Sequence, residues 1–395
     1  MGQKWITIIN LKSVLMAVFV LVSFVVAHED EPKLKLVNVL FRHGDRAPDG
    51  IEVYPNDPYL NYSFYPMGRG GLTNAGKLRV YRLGQKLKSL YGDLLGPIWL
   101  PSTVEARSTD YDRTKMSLQL LLSGLYPPTP IQTWNDELPW QPIPSSYKPL
   151  IEDILFEPEL CPKYLAEYNR IKTSPEVLNK TAKFSSLMKY LETHTGRRYT
   201  NTTDILYLHH TFVAEVASNL VLPDWVAAIY PNGELRNAAV LDYEFTSYNE
   251  DLKRLNGGMF VRKISEDLVA YRSGRLPAGR RMYLYGGHET NIAAVLIALG
   301  VYEPHAPQYS SSIMVELWQS KDQYFVKVLY YTGIPAEVVT KKIPGCAELC
   351  PLDTFLELMR PVTPSDSDLI CVKAGTSSQV TSRSFLNALR KKVAL

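Results

Sequence analysis

Residues 33–41, KLKLVNVLF, constrain this chain more than any other stretch. Apolar and β-branched side chains dominate it, which is how a strand reads when it lies in the middle of a sheet. The residues that follow are Arg42, His43, Asp45 and Arg46, with Pro48 closing the turn. So much charge at the mouth of a buried strand needs a partner, because desolvated charge is costly unless it is paired. That partner is either structural or a ligand.

Two further strand–loop–helix units can be read from the periodicity. LTNAGKLRVYRLGQKLKSLYG at 72–92 puts Leu78, Tyr81, Leu83, Leu87 and Leu90 at helical spacing, with Thr73 or Asn74 near its start. TVEARS at 103–108 predicts a short strand, and YDRTKMSLQLLLSGLYPP at 111–128 a helix stopped by Pro127 and Pro128. RRMYLYGG at 280–287 predicts another strand, which runs through HET into a buried helix, NIAAVLIALG at 291–300, ending at Gly300. SSIMVELWQ and YFVKVLYYT read as a late antiparallel pair. Strands alternating with helices predict an α/β fold, a mostly parallel sheet with flanking helices. Residues from about 130 to 255 are richer in Pro, Trp and Tyr and read as an inserted, mainly helical cap. Ligands of open α/β sheets bind beyond the carboxyl ends of the strands. Arg42–Arg46, Arg107–Arg113 and His288–Glu289 all fall at such ends and can converge there.

The 395 residues are 46% hydrophobic and 21% charged, as expected of a globular chain with a sizeable core. The formal charge of +3 is spread along the chain and forms no basic stripe, which argues against nucleic acid as a partner. Lys4 and Lys12 precede a mostly apolar run from Val14 to Ala27, the layout of a secretory signal peptide over residues 1–27, cleaved after Ala27. That run is shorter than the roughly 20 residues of a spanning helix, so the mature chain, 28–395, is expected to leave the membrane. Losing two lysines brings the charge to about +1. Four cysteines, Cys161, Cys346, Cys350 and Cys371, suggest two disulfides in an exported protein. Cys346 and Cys350 are close enough to pair locally, which would leave Cys161 for Cys371; three pairings are formally open. Asn61, Asn179 and Asn201 begin glycosylation sequons.

Taken as one pocket, these groups suit displacement at phosphorus. Arg42, Arg46 and Arg113 offer permanently charged forks for phosphate oxygens. Neighbouring arginines disfavour a second positive charge, so His43 stays neutral and nucleophilic. His288 can donate a hydrogen bond to a phosphate oxygen, and Glu289 can protonate a leaving alkoxide and then deprotonate water. With arginines supplying the positive charge, the scheme calls for no metal and no cofactor.

The motifs themselves carry a resemblance. FRHGDRAP matches the Arg-His-Gly-x-Arg-x-Pro motif of the histidine acid phosphatases, and RSTDYDRTKMS resembles that family's second arginine motif. YGGHETNIA stands where the family has a His-Asp or His-Glu pair, and LPWQPIP at 138–144 and the late PGC…CPL also fit. The similarity runs from about Leu34 to Cys371 and is closest to the secreted insect venom branch. It implies a histidine phosphatase-like domain with a helical cap that hydrolyses phosphate monoesters through a phosphohistidine on His43. In this reading Arg42, Arg46, Arg113 and His288 hold the phosphate and Glu289 is the proton donor, with Asp45 the fallback donor because many relatives carry Asp where Glu289 stands. It also supports the pairs Cys346–Cys350 and Cys161–Cys371, and implies a secreted or alternatively lysosomal protein and a homodimer.

Other readings set bounds. Arg42 and Arg46 would pair with Asp45 and Asp49 if they were ordinary surface charges. Arg107 is expected to brace its loop through Asp110 or Asp112. His194, His209, His210 and His305 stand in no chemical context and read as core or surface histidines. A phosphomutase or sugar bisphosphatase fits poorly with a signal peptide and sequons. A catalytically silent binding protein would be expected to have lost at least one of these groups. No Gly-x-Ser-x-Gly elbow or Walker loop is present.

Overall fold

The computed structural model describes residues 31–371; the signal segment and residues 372–395, with the basic C-terminal stretch, lie outside it. An eight-stranded mixed sheet is built from β1 (Lys33–Arg42), β2 (Val104–Ser108), β3 (Ser146–Tyr147), β4 (Met282–Gly287), β5 (Ser312–Ser320), β6 (Gln323–Tyr331), β7 (Val338–Lys341) and β8 (Cys350–Pro351). The order is β3-β2-β4-β1-β5-β6-β7, with β8 also on β6. From β3 to β1 neighbouring strands are parallel; from β1 to β7 they are antiparallel. The parallel half arises from the strand–loop–helix units. The antiparallel half starts from the late hairpin and is extended by β7 and β8.

β1 is buried on both faces, hence its nearly unbroken apolar run. Val37, Val39 and Phe41 pack under α1 (Asn74–Leu95) and α2 (Asp112–Leu125), against Val80, Leu83, Leu87, Leu118 and Leu121. Leu36 and Leu40 face the opposite layer. Each such side chain contributes roughly 1.5–3 kcal/mol of burial free energy. The buried stripe of α1 is Val80, Leu83, Leu87, Tyr91 and Leu95, whereas Leu78 is exposed. Gly84 explains the difference: a Cβ there would lie 2.1 Å from the Leu121 carbonyl oxygen, so α1 turns this glycine to α2 and carries Leu78 outward.

The helical part starts at Pro162, with α3 (Pro162–Lys172), α4 (Pro175–Ala182), α5 (Ser185–Thr195), α6 (Thr202–Ala217), α7 (Glu234–Phe245) and α8 (Glu250–Leu255). Residues 130–161, also expected in the cap, instead contribute β3 to the sheet and only short helical turns. The chain returns to the sheet through α9 (Gly257–Arg272), α10 (Glu289–Ala298) and α11 (Leu352–Met359), whose Phe260, Ile264, Ile292, Val295 and Phe355 cover Leu36 and Leu40. Sulfur atoms of Cys161 and Cys371 are bonded across 210 positions, and those of Cys346 and Cys350 across 4. By loop-closure entropy the longer bridge contributes up to about 5 kcal/mol.

The long connection between β1 and α1 packs on the cap, with Tyr54 among Leu187, Leu191 and Phe212. There the buried Glu215 of α6 lies against Asp57, and burial with that like charge pushes its carboxyl up to about 8. Glu215 therefore holds a proton in the folded chain that the unfolded chain releases near the usual 4.5, and its contribution to stability is lost as pH rises from about 4.5 to about 8. Urea unfolding should show stability falling over that window, and Glu215→Gln should flatten the slope. An unchanged slope in the variant would mean that other groups set it.

Candidate active site

Strand register brings the predicted stretches together. Phe41 and Arg42 lie opposite Gly286 and Gly287 of β4, while Arg107 and Ser108 lie opposite Tyr285 and Gly286. β1, β2 and β4 thus end side by side, and their following loops share one rim. His43, Arg46, Arg113, His288 and Glu289 line a single cleft there. Arg42 stands against Glu289, its Nε 2.9 Å from Oε2.

The turn after β1 is held against the start of α1. A Cβ on Gly44 would sit 2.4 Å from the Gly76 carbonyl oxygen, and one on Gly76 would sit 2.2 Å from that of Asp45, so only glycines permit the approach. Thr73 caps α1, its Oγ1 accepting from Gly76 N at 3.0 Å. Backbone bonds His43 N to Gly287 O (3.1 Å) and Ser310 N to His43 O (3.1 Å) fix the histidine between β4 and the segment before β5. His43 is buried, and its Nδ1 faces the Gly44 carbonyl at 2.8 Å. A carbonyl only accepts, so Nδ1 carries the hydrogen and Nε2 the lone pair. Burial first, then the charges of Arg113, Arg42 and His288, holds the imidazole well below the usual histidine range.

Each arginine has a carboxylate. Arg46 makes a two-pronged pair with Glu52, at 2.8 and 2.5 Å, and this pair with His210 takes Glu52 down to about 2 against the penalty of burial. Arg42 binds Glu289, donates to the Pro307 carbonyl at 2.7 Å and lies 4.0 Å over the Tyr309 ring. Arg113 makes a longer contact of 3.4 Å with Asp49 and lies over Tyr111. Neither Arg42 nor Arg46 has a partner that a surface-charge reading assigns: Asp49 takes Arg113 and Asp45 takes Arg79. Asp45 is spent elsewhere: it takes Arg79 of α1 at 2.6 and 3.2 Å, one contact on each carboxylate oxygen. Arg107 pairs with Asp153, while Asp110 takes Lys115.

His288 is the N-cap of α10, with Asn291 Oδ1 accepting from its backbone N–H at 3.0 Å, and its Nε2 lies 3.0 Å from Thr109 Oγ1. Glu289 begins the first turn, where the helix dipole favours negative charge. Burial works against its ionisation, but Arg42, His210, His43 and Arg46 outweigh burial and hold its carboxyl well below the usual range. In the ligand-free site Glu289 is a carboxylate.

Two important neighbours were not legible beforehand. Glu52 anchors Arg46, and His210 of α6 lies with Nδ1 3.4 Å from Glu52 Oε1 and Nε2 3.4 Å from Glu289 Oε1. The expectation that His210 lacks chemical context is thereby corrected: α6 brings it into the cleft from 167 positions beyond His43. No local pattern around TDILYLHHTF reveals this, because the contact depends on how the helices fold back over the sheet.

The description that the chain matches, over residues 33–190 and 243–331, is that of the histidine phosphatase superfamily, branch 2. The chain belongs to this family. It is 47% identical to a venom acid phosphatase of Apis mellifera over 359 residues, covering 91% of this chain and 92% of that protein. It is 32% identical to the prostatic acid phosphatase of Bos taurus (86% of this chain, 88% of the relative) and 32% identical to the lysosomal acid phosphatase of Homo sapiens (86% and 80%). Among solved structures, a phytase from Citrobacter braakii superposes with a TM-score of 0.65 at 17% identity, covering 87% of this chain and all of that one, a likeness of fold alone.

Proposed function

We propose that this chain is a secreted acid phosphatase that hydrolyses phosphate monoesters through a phosphohistidine on His43. The observation that carries the reading is the meeting of His43, Arg46, Arg113, His288 and Glu289 in one cleft at the ends of three parallel strands, with Arg42 against Glu289. The acid phosphatase names of the relatives support it. His43 Nε2 attacks phosphorus while Arg42, Arg46, Arg113 and His288 hold the non-bridging oxygens, stabilising the charge of the transition state. The ester bond breaks as Glu289 gives a proton to the alkoxide. Water then attacks the phosphohistidine, Glu289 takes its proton, and His43 regains its lone pair.

The electrostatics suit acid conditions. A His43 held well below the usual range stays neutral in acid. Glu289 is ionised in the free site, and a bound phosphoryl group, sharing Arg42 with it, raises its hold on a proton. Turnover of an alkyl ester such as glycerol 2-phosphate, whose alkoxide needs a proton, measured from pH 4 to 9, should therefore fall as pH rises above about 6, where protonated donors disappear. A flat profile to pH 9 would rule out a carboxylic acid donor.

Secretion is supported by the signal-like first 27 residues and by the venom relative; delivery to lysosomes is the alternative suggested by the lysosomal relatives. No helix of the described residues is long and apolar enough to cross a membrane. Asn61 and Asn179 are exposed and suit glycans, whereas Asn201 is half-buried and caps α6, accepting from Asp204 N at 3.1 Å. A homodimer remains part of the proposal on family resemblance alone.

A further inference from the structure

The donor poses a problem. Glu289 must give a proton to the leaving group, yet Arg42 keeps it ionised before substrate arrives. A buried histidine beside it is placed to hold that proton. His210 is buried on α6 between two carboxylates, Nδ1 3.4 Å from Glu52 and Nε2 3.4 Å from Glu289, with Tyr243 Oη 3.0 Å from Nε2. Glu52 is locked by two bonds to Arg46 and stays anionic in the working range, so it fixes the hydrogen on Nδ1 and orients the ring. Nε2 then faces Tyr243 Oη at 3.0 Å and Glu289 Oε1 at 3.4 Å. Separations of this length are ordinary in a ligand-free site and tighten when substrate binds. The charged and titratable groups around the ring are Glu52 and Arg46 from the loop after β1, Arg42 from β1, Glu289 from α10, Asp242 and Tyr243 from α7, and neighbouring His209. His210 lies in the stretch 191–242 that the family match leaves out.

We propose that His210 is the positioning residue that stores the donor proton, passing it from Nε2 to Glu289 Oε1 when a phosphoryl group enters the cleft. This rests on the acid phosphatase reading above. A phosphoryl group that draws Arg42 away from Glu289 removes the contact that keeps the carboxylate ionised, and the proton crosses. Glu289 gives it to the departing alkoxide. In the second step Glu289 takes one from the attacking water as the bond from phosphorus to His43 opens. When inorganic phosphate leaves, the proton returns to Nε2, and the cycle closes with His210 unchanged.

The test compares wild type, His210→Asn and His210→Gln on glycerol 2-phosphate, whose alkoxide needs a proton, and on p-nitrophenyl phosphate, whose phenolate leaves without one. Turnover of the alkyl ester should drop about 100-fold and that of the aryl ester only a few-fold, general acid–base terms being of this size. Inhibition by inorganic phosphate should weaken, because an ionised Glu289 keeps its hold on Arg42, and the alkaline limb for the alkyl ester should move to lower pH. Equal losses on both esters with an unmoved limb would make His210 a packing residue and overturn the proposal. A measurement on wild type does not depend on either variant folding. Infrared difference spectra on adding inorganic phosphate should gain a protonated carboxyl band and lose imidazolium; absence of both changes overturns it as well. Trapping phosphohistidine on wild type separates the two levels: its absence defeats the phosphatase mechanism, while its presence with unaltered His210 variants defeats only the proton store.

Discussion

Replacing His43 with Ala is expected to lower kcat/KM for an aryl phosphate on the order of 10⁴-fold or more and to abolish trapping of a phosphoenzyme, since removing a nucleophile collapses the covalent route. The cause is local. Nδ1 is committed to the Gly44 carbonyl, the lone pair sits on Nε2, and burial among Arg113 and Arg42 keeps the ring neutral at acidic pH. Alanine removes one hydrogen bond, about 1 kcal/mol, and leaves the Arg46–Glu52 pair in place. Inorganic phosphate should therefore still bind the variant. Full activity in His43→Ala would overturn the mechanism. Loss of phosphate binding together with activity would mean that the turn itself had collapsed.

Glu289→Gln is expected to have the next largest effect, and it should split the two chemical steps. Alkyl esters should slow by roughly 10² to 10⁴-fold for want of an acid. Aryl esters should still phosphorylate His43, but water would attack without a base. Rapid mixing should then give a burst of phenol about equal to the enzyme concentration, followed by slow turnover. KM should fall, because the carboxylate no longer competes with phosphate for Arg42, 2.9 Å away. Unchanged kinetics with no burst would exclude Glu289 as donor. Asp45 would then be a poor substitute, since both of its oxygens are engaged by Arg79.

What could be read beforehand was local. The continuous apolar run of β1, the helix stopped before Pro127 and Pro128, and the strand running into α10 all follow from short-range periodicity and breakers, and the structure has them close to the predicted positions. The stripe of α1 was misjudged at Leu78 because its orientation depends on a glycine contact with α2, which lies outside any window of the helix itself. The helical start of the cap was misjudged because β3 is two residues long and acquires its place only by pairing with β2. The same division runs through the site. Residues next to a strand end were nameable, but their ionic partners were not, and these partners set which groups are charged.

The amino-acid sequence alone determined the chemistry on offer: a histidine among arginines at one strand end, and a His-Glu pair at another. Those are properties of contiguous residues, and the backbone of a strand followed by a turn delivers them to a sheet rim whatever the rest of the chain does. Only the tertiary structure decided that Asp45 is tied to Arg79, that Glu52 braces Arg46, and that His210 of α6 stands between Glu52 and Glu289. The physical reason is that charge and protonation depend on contacts of 2.5 to 3.4 Å between groups on different elements, and those contacts exist only once loops and helices have packed over the sheet.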